Sequence, residues 1–176
     1  MRTLFSRRSL PLALVACVAA CVAEDEDPLS LESLQRVARA QGDAEGQDLA
    51  GSYAVSGEAL GCDCPELEGL DLCGLLSIDA PVLPAAVSHF DGLVVIDISG
   101  TISLIGGVWS DGRFAAASIL DAGIIGTGGE VLSLVEGSFD GEGFAGEMVN
   151  RFSGAYLGEE IDCRGASELT GLRIPP

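Results

Sequence analysis

An all-β domain of consecutive antiparallel hairpins is the fold this sequence predicts, on three observations. From residue 51 onward apolar residues recur at every second position: Val94, Ile96 and Ile98 alternate with Val95, Asp97 and Ser99, and Ile102 and Leu104 with Thr101 and Ser103. Alternation over four to eight residues marks a half-buried strand. Asp-Gly pairs at Asp91-Gly92, Asp111-Gly112 and Asp140-Gly141 lie between such runs. They are hairpin signals, because glycine accepts the positive φ of a tight turn. The chain of 176 residues also holds 24 Gly, about twice the usual share of roughly 7%, as a turn-rich β fold requires.

Strands are expected at 51–57, 93–99, 101–109, 113–120, 131–139, 143–152, 159–166 and 168–174. Leu132 and Leu134 carry the alternation in the fifth, Phe144, Met148 and Phe152 in the sixth. The Asp-Gly pairs recur at intervals of 20 and 29 residues, too uneven for a solenoid repeat. A single meander of about eight strands closing into an up-and-down β-barrel is the expected architecture, since closure removes sheet edges. A β-sandwich is the alternative. Residues 61–90, with Pro65, Pro81 and Pro84, do not fit a meander and are expected to form a covering loop with a strand near 75–78.

Ahead of this domain, 1–20 read as an export signal and 21–49 as an acidic tether, leaving 50–176 as the barrel. Met1–Arg8 is a positive segment and Ser9–Ala20 a short apolar one, the pattern of a secretory signal. The apolar run falls short of the ~20 residues a membrane span needs. Within the tether, Asp27-Pro28 is a helix-start signal, and Leu31, Leu34 and Val37 or Ala38 would share one helical face.

The residues Val18-Ala19-Ala20-Cys21 resemble the bacterial lipobox, in which an aliphatic and two small residues precede a cysteine. The resemblance covers only residues 1–21. It implies cleavage before Cys21, acylation of that cysteine and anchorage in a membrane. Leu14-Val15-Ala16-Cys17 fits the same pattern and makes Cys17 the alternative. Cys21 is favoured because it leaves an apolar run of normal length and because Glu24-Asp25-Glu26-Asp27 follows directly.

Charge narrows the function classes. The nine basic residues are all arginines, and Arg2, Arg7 and Arg8 lie in the signal. After processing, six arginines face 27 Asp and Glu, a difference of 21 negative charges. Such a field repels phosphate backbones, so nucleic-acid binding is not expected.

Four cysteines lie beyond the signal: Cys62, Cys64, Cys73 and Cys163. An even number in an exported chain reads as disulfides. A bridge between Cys62 and Cys64 would be strained. Cys163 is therefore expected to join Cys62 or Cys64, and Cys73 the other, with Cys62–Cys163 and Cys64–Cys73 the favoured arrangement. The gaps between Cys62, Cys64 and Cys73 lack zinc spacing, and the Asp-Gly turns do not follow the calcium-loop pattern, so no metal is expected.

Catalytic candidates are scarce. His89 is the sole histidine and there is no lysine. No nucleophile elbow is present, and no glycine loop opens a helix to cradle phosphate. Trp109, the sole tryptophan, ends a strand and is expected to plug one barrel end, or else to touch a ligand at the rim. The sequence thus points to a non-enzymatic, cofactor-free lipoprotein of the cell envelope, in the outer membrane, periplasm or at the cell surface, acting as a structural or interaction module. In architecture alone it is similar to the lipocalin-like barrels, which implies a carrier of a small apolar ligand as the second reading. A carboxylate-dependent hydrolase is the third.

Overall fold

The computed structural model describes residues 26–125 and 128–175. Eight strands follow one another in the chain: β1 (Gly51–Cys62), β2 (Ala80–Phe90), β3 (Leu93–Ile98), β4 (Ile102–Val108), β5 (Arg113–Asp121), β6 (Gly128–Phe139), β7 (Gly143–Tyr156) and β8 (Glu159–Arg173). Each pairs antiparallel with the next, and β8 returns to pair with β1, so the sheet is a closed up-and-down barrel and not a sandwich. An eight-stranded barrel has an interior just wide enough to be filled by side chains.

Two strand assignments need correction. β2 lies in the segment expected to be a loop. Its Pro81 and Pro84 precede Ala85, where pairing with β3 begins, so that end of β2 is a strand edge, where proline is tolerated. β8 is one strand of 15 residues, not two. The break expected at Ser167 is absent, since Gly165, Ala166 and Ser167 each keep their partner on β7.

Side chains from all eight strands meet inside. Val94, Ile96, Leu104, Val135, Met148 and Leu169 belong to one buried cluster. At the lower end Tyr53, Phe114, Phe139 and Phe144 pack with ring centroids 5.0–6.4 Å apart, mostly tilted or edge-on as aromatic quadrupoles prefer. Gly171 makes room for them: a Cβ there would sit 2.2 Å from Cε1 of Phe144. The plug expected of Trp109 is therefore supplied by these four rings. Trp109 is half-buried and stands outside that cluster.

The segment expected to be a tether does not hang free over its described part. Residues 40–50 strap the lower end, where Ala44 and Leu49 join the core. Backbone bonds run from Gly42 N to Gly92 O (3.0 Å) and from Ala44 N to Val108 O (3.2 Å). Tyr53 Oη donates to Leu49 O (2.8 Å), and Arg173 donates to Asp48 O and Ala50 O (3.0 and 2.6 Å). Gly92 serves both turn and strap. Its φ is +79°, and a Cβ would stand 2.2 Å from the Gly42 carbonyl oxygen.

The upper end is closed differently. A short helix, α2 (Leu72–Leu76), which follows helix α1 (Leu31–Ala38) in the order of helices, replaces the strand expected near 75–78. Leu72 and Leu76 pack on Phe152, Ile161 and Cys163. Ile78 N donates to Ser167 Oγ (2.7 Å), and Asn150 Nδ2 donates to Leu76 O. Residues 63–78 form a plug at this end, which stops on a polar layer inside the wall, where Ser118, Ser133 and Asn150 stand in register on β5, β6 and β7.

Helix α1 (Leu31–Ala38) docks on the outside of β4, β5 and β6. Its cap is Ser30, whose side chain accepts from Ser33 N, not Asp27. Leu34 is fully buried against Leu29, Ala117, Leu132 and Leu134, with Val37 and Ala38 beside them, whereas Leu31 turns outward. An amphipathic segment of eight residues holds its helix only through such packing. Leu34→Ala should therefore cost about 2–5 kcal/mol in denaturant unfolding, and Leu31→Ala within about 0.5 kcal/mol. Equal costs would contradict this docking.

Candidate functional site

Cys21 and its alternative Cys17 lie outside the described residues. The other four cysteines form two bridges, Cys62–Cys73 and Cys64–Cys163. Cys163 does join one member of the Cys62/Cys64 pair and Cys73 the other, but the favoured arrangement is reversed. The β1–β8 register decides it. Cys62 stands opposite Gly165. Asp63 N donates to Arg164 O (3.0 Å) and Arg164 N to Asp63 Oδ1. One step further, Cys64 meets Cys163, and Cys62 is left for Cys73 on α2. The long bridge spans 99 residues and the short one 11. In the chain-entropy model they contribute about 4.7 and 2.8 kcal/mol.

His89 is a structural residue of the strap. Its Nδ1 lies 3.0 Å from Gln47 O, and its Nε2 accepts from Gly92 N at 3.3 Å. The two contacts hold the ring between the strap and the β2–β3 turn. Trp109 borders a cleft of about 470 Å³ on the outer wall with Arg113, Ala115 and Glu136.

The outer wall carries a feature that needs the register to be seen. Glu136 stands opposite Glu147, Glu147 opposite Glu168, and Glu168 opposite Glu58. Four exposed glutamates thus form one row across β6, β7, β8 and β1. Directly opposed side chains have Cβ atoms roughly 5 Å apart, and a like-charged pair costs on the order of 0.2–1 kcal/mol. Among the described residues none of the four has an ion-pair partner. At one end of the row, Glu58 and Glu168 line a cleft of about 520 Å³ together with Asp79.

Higher on the same wall the charges are resolved. Arg151 and Arg164 also stand directly opposite one another, and Asp27 takes a hydrogen bond from each (3.0 and 2.8 Å). Asp162 completes a two-point contact with Arg151, whose Nε donates to Oδ1 at 2.7 Å. Asp27 also accepts from Leu29 N (3.0 Å), so one carboxylate ties the start of the described chain to the barrel.

The described groups of three ligand atoms within 4.8 Å of one another are Cys62, Cys64 and Cys73, and Asp63, Cys64 and Cys163. All four of those cysteines are in bridges. The glutamate row is therefore an extended charged strip, not a compact cage for one ion.

No family model, no curated protein and no solved structure matches this chain. Fold and surface define its class on their own terms: a disulfide-tied, eight-stranded up-and-down barrel closed at both ends, with an acidic exterior.

The Arg151 contact gives this wall a pH signature. Hydrogen bonding to Arg151, aided by the positive charges of Arg151 and Arg164 and opposed by partial burial, holds the Asp162 carboxyl below its ordinary value. A depressed carboxyl stabilises the fold at pH above about 3.9 and loses that contribution as pH falls through its folded value. Carbon-detected NMR titration should place the Asp162 midpoint below about 3.9, and Arg151→Gln should raise it. An unchanged midpoint in that variant would contradict the assignment.

Proposed function

We propose that this protein is a lipid-anchored, non-enzymatic interaction module of the bacterial cell envelope, which meets its partners through its outer wall. One observation carries the reading: the interior is occupied. The plug fills the upper end, four aromatic rings and the strap fill the lower, and aliphatic side chains fill the middle. A carrier of an apolar ligand needs that space free. Two further facts support the non-enzymatic part. The sole histidine is held between two backbone groups, and the four cysteines of the domain are paired.

The anchor rests on the lipobox resemblance, and two disulfides suit an oxidising compartment outside the cytoplasm. If the lipid is on Cys21, four residues separate it from Glu26, five Cα steps away, where the described chain begins. They reach at most about 18 Å. The domain is then held close to the membrane by the side on which Arg36, Arg151 and Arg164 gather round Glu26 and Asp27. That is the side where the acidic field is best neutralised.

Detergent-phase partition and intact mass test the anchor. The wild-type protein should enter the detergent phase with a mass that starts at an acylated Cys21, and Cys21→Ser should remain in the aqueous phase. A chain starting at Glu24 with no acyl mass would overturn it. The non-enzymatic part fails if screening against glycoside, ester and peptide substrates finds turnover that Glu168→Gln abolishes.

A further inference from the structure

The two disulfides join different elements, yet their sulfurs form one group. The Sγ atoms of Cys62, Cys64 and Cys73 all lie within 4.8 Å of one another, although Cys62 and Cys73 belong to one bridge and Cys64 to the other. Their accessibility is graded. Cys62 is exposed, Cys64 and Cys73 are half-buried, and Cys163 is 4% exposed. A reductant in solution meets the Cys62–Cys73 bridge first and has no direct path to Cys163.

The seat beneath these bridges is incompletely satisfied. Ser77 Oγ and Asn150 Oδ1 are buried and have no hydrogen-bond partner among the described residues. Gly165 accommodates the plug only because it has no side chain, a Cβ there standing 2.9 Å from Leu76 Cβ. Buried polar atoms without partners oppose burial of the segment that carries them. Covalent attachment to β8 through Cys64–Cys163 offsets this.

We propose that the two bridges act as one exchange unit, in which a thiolate at Cys73 takes Cys64 from Cys163 and unlatches the plug from the barrel wall. The trigger is a dithiol reductant. It gives two electrons to the Cys62–Cys73 bridge, leaves as its own disulfide, and yields thiols at Cys62 and Cys73. The Cys73 thiolate then attacks Cys64 Sγ. A Cys64–Cys73 bond forms as the Cys64–Cys163 bond breaks, and Cys163 departs as a thiolate that takes up the proton Cys73 released to solvent. This second step involves no net oxidation or reduction. Cys62 is the poorer attacker, because a bridge between residues two apart is strained. The new bridge lies wholly within the segment between β1 and β2, so one reducing event breaks that segment's covalent tie to β8. The plug keeps its hydrogen bonds to Arg164, Asn150, Ser167 and Tyr156 and the burial of Leu72 and Leu76.

The test uses the oxidised full-length protein with one equivalent of dithiothreitol, quenched by alkylation and mapped without further reduction. Exchange predicts alkylated Cys62 and Cys163 with a Cys64–Cys73 bridge, and faster amide exchange at Ile78. Alkylated Cys62 and Cys73 with Cys64–Cys163 intact would overturn it. The Cys62→Ser variant needs no reductant, since it leaves Cys73 free beside an intact Cys64–Cys163 bridge. Incubated at pH 8, it should pass its free thiol to Cys163 in a measurable share of molecules. A thiol confined to Cys73 would again overturn the proposal.

Discussion

Closing eight strands into a barrel removes every sheet edge but creates two open ends, and the rest of this structure answers that constraint. Unsealed ends would admit water to a core made of Val, Ile, Leu and Phe side chains. Each end is sealed by chain from outside the consecutive hairpins. Residues 40–50 cross the lower end, where Ala44 and Leu49 enter the core and the Gly42–Gly92 contact brings two backbones together. Residues 63–78 enter the upper end and are tied to two strands by disulfides. The two seals differ in kind. The lower rests on backbone and side-chain hydrogen bonds over an aromatic floor, and the upper depends on covalent bonds above a polar layer. Hence the upper seal, and not the lower, responds to redox chemistry.

The same closure orders the exterior. In an antiparallel barrel the register aligns outward side chains from successive strands into rows. Two of the like-charged rows are treated in opposite ways. The Arg151–Arg164 pair is neutralised by Asp27 and Asp162. The row of Glu136, Glu147, Glu168 and Glu58 lies on the surface without an ion-pair partner among the described residues. With a formal net charge of −18, mutual repulsion favours solubility and disfavours self-association. It also leaves cations and basic surfaces as the chemistry best suited to that wall.

How much of this was legible in the sequence follows from the range of each interaction. Alternation at Val94–Ile98 and Ile102–Leu104, and the turns at Asp91-Gly92 and Ser99-Gly100, are local, and they mark real strands and hairpins. β2 was hidden by Pro81 and Pro84, whose tolerance depends on where β3 begins to pair. β8 reads as two strands, 159–166 and 168–174, because Gly165 and Ser167 are small where they face the plug, a tertiary reason that leaves only an apparent break in the chain. The disulfide pairing and the glutamate row both depend on the β1–β8 register, which no single strand encodes. The parity of each glutamate could be read within its own strand, and a register would have aligned them. The strap carries Leu49 and three scattered alanines as its apolar residues in a polar stretch, so its role in closing the barrel has no local mark.

The central claim is that both ends are sealed and the interior is filled by the protein's own side chains. The most direct measurement is a titration of the oxidised protein with a neutral apolar fluorophore such as N-phenyl-1-naphthylamine, which the acidic surface does not repel. A filled barrel predicts no saturable rise in emission. Saturable one-to-one binding, displaced by a long-chain fatty acid, would show an open interior and contradict the account.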